Sequence, residues 1–238
     1  MFDPLYFLIV LLPGLAISGM ASWMVRSAFN RYSRVPARSG LSGAQAAQRL
    51  LDQASIPDVS IVPAHGHLSD HYNPATKELA LSQSVYGEHS IAAIGVATHE
   101  AGHAIQHARG YMPLGLRSAI VPMAQVGSSL GYIVMSIGLV LIVLGGSPFL
   151  GKWVVAAGAV LFSAMLVFQL VTLPVEFNAS ARAKRLVVEA GIIGPDERIG
   201  IDRVLNAAAL TYVAAAISTF LTLLYFLIRA GFLRSSDD

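Results

Sequence analysis

The sequence predicts a mainly α-helical membrane protein with about four transmembrane helices and one polar α+β segment between the first and second. Three observations carry that reading. Of 238 residues 55% are hydrophobic and only 13% charged, against about 25% charged in soluble domains. The mean hydropathy is +0.61. The apolar residues also fall in long charge-free stretches rather than in alternating short runs, which is the pattern of bilayer spans. Abundant apolar residues exclude disorder. A formal charge of +2 gives no basic bias toward nucleic acid, and zero cysteines exclude disulfides, thiolate metal sites and a cysteine nucleophile.

The first stretch, Leu5–Val25, has no ionisable side chain and is long enough for one crossing. It does not read as a signal peptide, because Asp3 replaces the basic leader and the apolar run is too long. Pro13 and Gly14 are expected to bend it. Ser118–Gly151, most apolar over Met123–Leu144, supplies the second span, Trp153–Val175 the third and Val204–Ile228 the fourth. Gln125, Ser128 and Ser129 in the second span are expected to bond between helices or to line a substrate path. Arg26, Arg31, Arg34 and Arg38 follow the first span, and Arg182, Lys184 and Arg185 follow the third. The positive-inside rule therefore places both basic regions in the cytoplasm and the N-terminus outside. The C-terminal tail is then outside, with Arg229 and Arg234 as weak counter-evidence; Asp237 and Asp238 count for little. The expected segments are 1–25, 26–117, 118–175, 176–203 and 204–238.

Within 26–117, Ser42 begins a helix through about Ala54. Val59–Val62 and Glu78–Leu81 read as short strands, and Asp70-His71-Tyr72-Asn73-Pro74 between them as a hairpin or edge strand. A helix is expected from about Ser90 to Ala108, ending before Gly110 and Pro113. All seven histidines (His65, His67, His71, His89, His99, His103 and His107) lie in this region and none in the spans.

The chemistry concentrates in His99-Glu100-Ala101-Gly102-His103. Residues four apart share a helix face, so both imidazoles can reach one ion. Glu100 beside the first histidine can serve as general base toward a water polarised by zinc. Chance would produce this pattern roughly 0.005 times per chain of this composition, and the apolar run Ile91–Ala97 argues against a merely solvated helix. A third ligand is still needed. His107 has rotated about 80° from His99 and is better read as solvated or as a support to the ligands. Glu176 is stronger: two crossings return it to the membrane face of His103 whatever the orientation, and two histidines with one glutamate form an established zinc set. Glu189 is the reserve.

Gly95-Val-Ala-Thr-His-Glu-Ala-Gly-His-Ala-Ile-Gln-His107, with Pro174-Val-Glu-Phe-Asn-Ala-Ser180, resembles the YugP-type neutral zinc metallopeptidases of bacterial membranes. Ser69–Pro74 and Ala207–Ala214 resemble other blocks of that family, so the resemblance spans nearly the whole chain. More distantly the layout is similar to the HtpX and CAAX-prenyl-protease metallopeptidases, which pair His-Glu-x-x-His with a later Glu-x-x-x-Asp. By that resemblance Glu176 matches the glutamate ligand, and Ser180 stands where the aspartate would be, so the contact an aspartate would supply is in question. The resemblance implies a zincin-like α+β unit at the membrane surface, with an antiparallel edge strand before the metal helix. Extended substrate could add to that strand, and His71 or Tyr72 could donate to the substrate oxyanion. A turn role is the competing reading for His71, and solvation for His65 and His67. For Tyr212, in the fourth span, packing is an adequate explanation.

The expected activity is a zinc-dependent metalloendopeptidase of the cytoplasmic membrane. Metal ligands are His99, His103 and Glu176, the base is Glu100, and the site faces the cytoplasm. Its partners would be protein or peptide substrates, membrane proteins among them, and lipid, with no nucleic acid. A non-proteolytic zinc scaffold or sensor is the alternative; it would need four protein ligands, from His107 or His71, and leaves Glu100 unexplained. A site-2-type intramembrane protease lacks its later Asp-Gly motif, and a zinc transporter lacks His or acidic residues within the spans.

Overall fold

The structure, a computed structural model, describes residues 3–66 and 69–233. His67 and the tail residues Arg234, Asp237 and Asp238 lie outside the described residues. Among the described residues four helices are long and apolar enough to cross a bilayer: Pro4–Tyr32, Met112–Val143, Pro148–Glu189 and Arg198–Arg229. The first divides into α1 (Pro4–Tyr6), a π-helical turn (Phe7–Leu11) and α2 (Leu12–Tyr32). The distortion expected at Pro13 and Gly14 therefore falls in the turn before them. Proline brings no N–H for the carbonyl four residues back and crowds it, which a widened turn relieves. Helices α6 (Met112–Val143), α7 (Pro148–Glu189) and α8 (Arg198–Arg229) are the other three. Helix α7 does not stop with its apolar stretch at Val175 but runs on to Glu189, with Pro174 inside it.

The chain forms two compact units. One takes residues up to Met20, Leu116–Thr172 and those from Tyr212 onward. Here α6 and α7 touch backbone to backbone along a row of glycines. A Cβ on Gly131 would lie 2.8 Å from the Gly158 carbonyl oxygen, and one on Gly151 2.7 Å from that of Gly138. Small residues permit such approach where lipid gives helices no hydrophobic reason to associate. Ser128 bonds to the Gln125 carbonyl of its own helix, not across to another, and Ser136, Ser163 and Thr222 likewise return to their own turns.

The second unit comprises Ala21–Gly115 and Leu173–Thr211. Helix α3 (Gly43–Gln53) starts at the expected Ser42, which forms a reciprocal capping box with Gln45. Strands β1 (Ser60–Ala64), β2 (His71–Asn73) and β3 (Glu78–Ser82) form a sheet in the order β1-β3-β2, parallel between β1 and β3 and antiparallel between β2 and β3. The central strand buries Leu79, Ala80, Leu81 and Ser82. Asp70 fixes its end by accepting from the Ser82 N–H and hydroxyl. The chain then passes through α4 (Gln83–Tyr86) into α5 (Ile91–Ala108), capped by Ser90. Of the 18 residues of α5, 14 are buried, so it is a core helix apolar on nearly every face.

Gly131→Val should push α6 off α7 and destabilise the protein by about 1–3 kcal/mol. Thermal unfolding in detergent reads this, with Gly115→Val, which has open space at its Cβ, as the comparison.

Candidate metal centre

One group of histidine and acidic side chains among the described residues is arranged to hold a metal ion: His99, His103 and Glu176. One ligand atom from each lies within 4.8 Å of the others. His99 Nε2 is 3.3 Å and His103 Nε2 3.5 Å from Glu176 Oε2. The two histidines are four apart on α5 and the glutamate comes from α7, so the group is closed by the packing of those helices. Its packing has a specific cause at Gly102. A Cβ there would sit 2.8 Å from the carbonyl oxygen of Ala179, so the α7 backbone rests directly on the glycine inside the motif. Glu176 and Ser180 are the residues three before and one after that contact point.

Each imidazole is held from behind. His103 Nδ1 donates to Gln106 Oε1 at 2.9 Å, and the Gln106 amide donates to the Val175 carbonyl (2.8 Å) and Asn178 Oδ1 (3.0 Å). Gln106 is wholly buried, and its two donor contacts fix which end of the amide faces His103. The proton on Nδ1 leaves Nε2 with its lone pair toward Glu176. His99 Nδ1 pairs with Ser180 Oγ at 3.2 Å. The serine thus supplies a contact on the side where the resemblance leads one to look for an aspartate.

Glu176 is 2% exposed, and two imidazole lone pairs cannot face a buried carboxylate unless a proton or a cation sits among them. That donor set, two nitrogens and one oxygen on buried, pre-positioned side chains, fits zinc. Without the cation the proton takes its place. Burial alone disfavours the charged imidazole of His103, but the hydrogen bond it donates to Glu176 and the charges of Glu100 and Glu176 outweigh it and hold its pKa above the ordinary histidine range.

Glu100, 8% exposed, neighbours His99 and makes no hydrogen bond among the described residues. Its charge bears on His103, while its oxygens are unspent. His107 lies outside the ligand group; its Nδ1 pairs with the Tyr72 hydroxyl at 2.9 Å. Tyr72 and His71 are on β2, the antiparallel edge strand. His71 is exposed and its Nδ1 donates to the Ser69 carbonyl at 2.9 Å, so it can offer Nε2 as a donor only in the imidazolium form. Glu189 pairs with Arg185 across one turn of α7, and exposed His65 holds the Ser69 hydroxyl on its carbonyl. The residues missed by sequence reasoning are Gln106 and Asn178. Their signal is polarity out of place: Gln106 sits three residues past His103 on a helix that buries nearly everything else.

The chain matches the family described as "Putative neutral zinc metallopeptidase" over residues 7–231. It is 43% identical over 232 residues to "Putative membrane protease YugP" of Bacillus subtilis (strain 168), covering 98% of this chain and 99% of the relative. No solved structure matches.

Gln106→Leu keeps the volume but removes the support of His103, and should weaken metal binding about 10–100-fold by chelator competition. Metal binding must also displace the His103 proton, so affinity should fall as pH drops through the raised titration range of that histidine. Metal retained after dialysis across pH 8 to 5 measures this.

Proposed function

The chain belongs to the neutral zinc metallopeptidase family, and from that premise we propose that it is a membrane-embedded endopeptidase that hydrolyses peptide bonds of proteins or peptides, with its zincin-like catalytic unit facing the cytoplasm. The observation that carries the proposal is the convergence of His99, His103 and Glu176 within 4.8 Å beside the unbonded carboxylate of Glu100.

In this reading His99, His103 and Glu176 hold zinc. Zinc bound there supplies Lewis-acid polarisation of a water molecule and of the scissile carbonyl. Glu100 takes a proton from the attacking water as its oxygen bonds to the carbonyl carbon. The same carboxyl then gives that proton to the amine as the C–N bond breaks. Gln106 and Ser180 keep the imidazoles oriented through both steps. His71, as imidazolium, is our candidate for the oxyanion donor, and β2 for the edge on which extended substrate lies.

Three donors leave a coordination position open, which supports catalysis over a closed structural site. The scaffold reading needs a fourth donor, and among the described residues neither His107 nor His71 joins the group of side chains that could hold a metal. The basic residues Arg26 to Arg38 and Arg182 to Arg185 support the cytoplasmic side.

Glu176→Ala should lose zinc from the detergent-purified protein, measured against about one zinc per chain in the wild type. Glu100→Gln should retain zinc yet cut hydrolysis of a casein or membrane-protein substrate by about 10²–10⁴-fold. Zinc retained with undiminished hydrolysis in Glu100→Gln would overturn the mechanism.

A further inference from the structure

Away from the metal group, the second unit contains a cavity of about 260 Å³ lined by Arg109, Arg182 and Arg185. Leu50, Ile105 and Leu186 give it apolar walls, and it has no acidic residue in its lining. Three like charges around one small volume repel one another unless an anion accompanies them.

Two of the guanidinium groups are fixed in place. Arg182 donates its Nε to Asn178 Oδ1 at 2.7 Å and lies 6.0 Å from the centre of the Tyr111 ring. Arg109 is tethered through one Nη to the Ala54 carbonyl at 3.2 Å. Those contacts leave further N–H donors on each fork unspent. Arg185 is the exposed member, at 65%, with Glu189 3.7 Å from its Nε. Guanidinium forks match the oxygens of a phosphoryl group, and the apolar walls suit the carbon atoms next to it. Arg182 and Arg185 come seven and ten residues after Val175, about 10 and 15 Å along a helix.

We propose that this cavity is a binding site for a phosphoryl anion, either the headgroup of an anionic phospholipid or a free phosphate. The site is separate from the peptidase reading and stands or falls without it. It would bring lipid composition or phosphate concentration to bear on the unit that carries the metal centre.

The test is thermal unfolding of the full-length protein in uncharged detergent at fixed ionic strength. The probes are phosphatidylglycerol, phosphatidylcholine and inorganic phosphate. The proteins are wild type, Arg109→Gln/Arg185→Gln, and Arg34→Gln as an arginine-removal control outside the cavity. A rise of several degrees with phosphatidylglycerol alone, lost in the double variant and kept in Arg34→Gln, establishes the lipid source. The same pattern with inorganic phosphate establishes the soluble one. Equal shifts in wild type and double variant, equal shifts with phosphatidylcholine, or no shift in wild type with any probe would overturn the proposal. Should the double variant not fold, Arg185→Gln alone, at an exposed side chain, should weaken half-saturation about tenfold; unchanged half-saturation would overturn the site equally.

Discussion

The bare backbone of Gly102 against the carbonyl of Ala179 is the contact on which the candidate metal centre depends. Helices α5 and α7 come from distant parts of the chain, and at Gly102 their backbones approach more closely than any side chain there would allow. One hydrogen atom in place of a methyl group permits that. Glu176 then reaches both imidazoles, Ser180 reaches His99, and Gln106 reaches the carbonyl of Val175. A wider separation would lose all four contacts together, since each spans the same interface.

The centre is a polar network inside an apolar core, and such networks are tolerated only when their members are satisfied. Gln106 illustrates this most clearly. Its oxygen serves His103 and its amide hydrogens serve α7, so a wholly buried side chain spends both ends. Asn178 accepts from Gln106 and from Arg182, extending the network from the ligand set to the cationic cavity. His103, Gln106, Asn178 and Arg182 thus form one continuous chain of hydrogen bonds.

Much of this was legible in the sequence because spacing and periodicity report on local geometry. The charge-free stretches located the four apolar helices, Ser42 and Ser90 marked two helix starts, and the four-residue spacing put His99 and His103 on one face. Glu176 came from counting crossings, which needs no distance information. The edge strand was legible in Asp70–Pro74, but the parallel pairing of β1 with β3 was not, since run lengths contain no pairing partner. Nor was the continuity of α7, because a change from apolar to polar residues at Val175 marks a change of solvent and not the end of a helix. Gln106, Asn178 and Ser180 act through contacts across two helices, and such contacts leave no periodic trace. Ser128 went the other way: a hydroxyl in an apolar helix can bond its own preceding turn, and here it does.

His99 and Glu176 are 77 residues apart, and the separation has a bearing on biosynthesis. Made from its N-terminus, the chain presents both imidazoles well before the carboxylate that joins them. Until α7 has been synthesised and packed, the ribosome-bound intermediate offers a cation only two nitrogens. The order of the donors along the chain therefore makes completion of the three-donor group wait for α7.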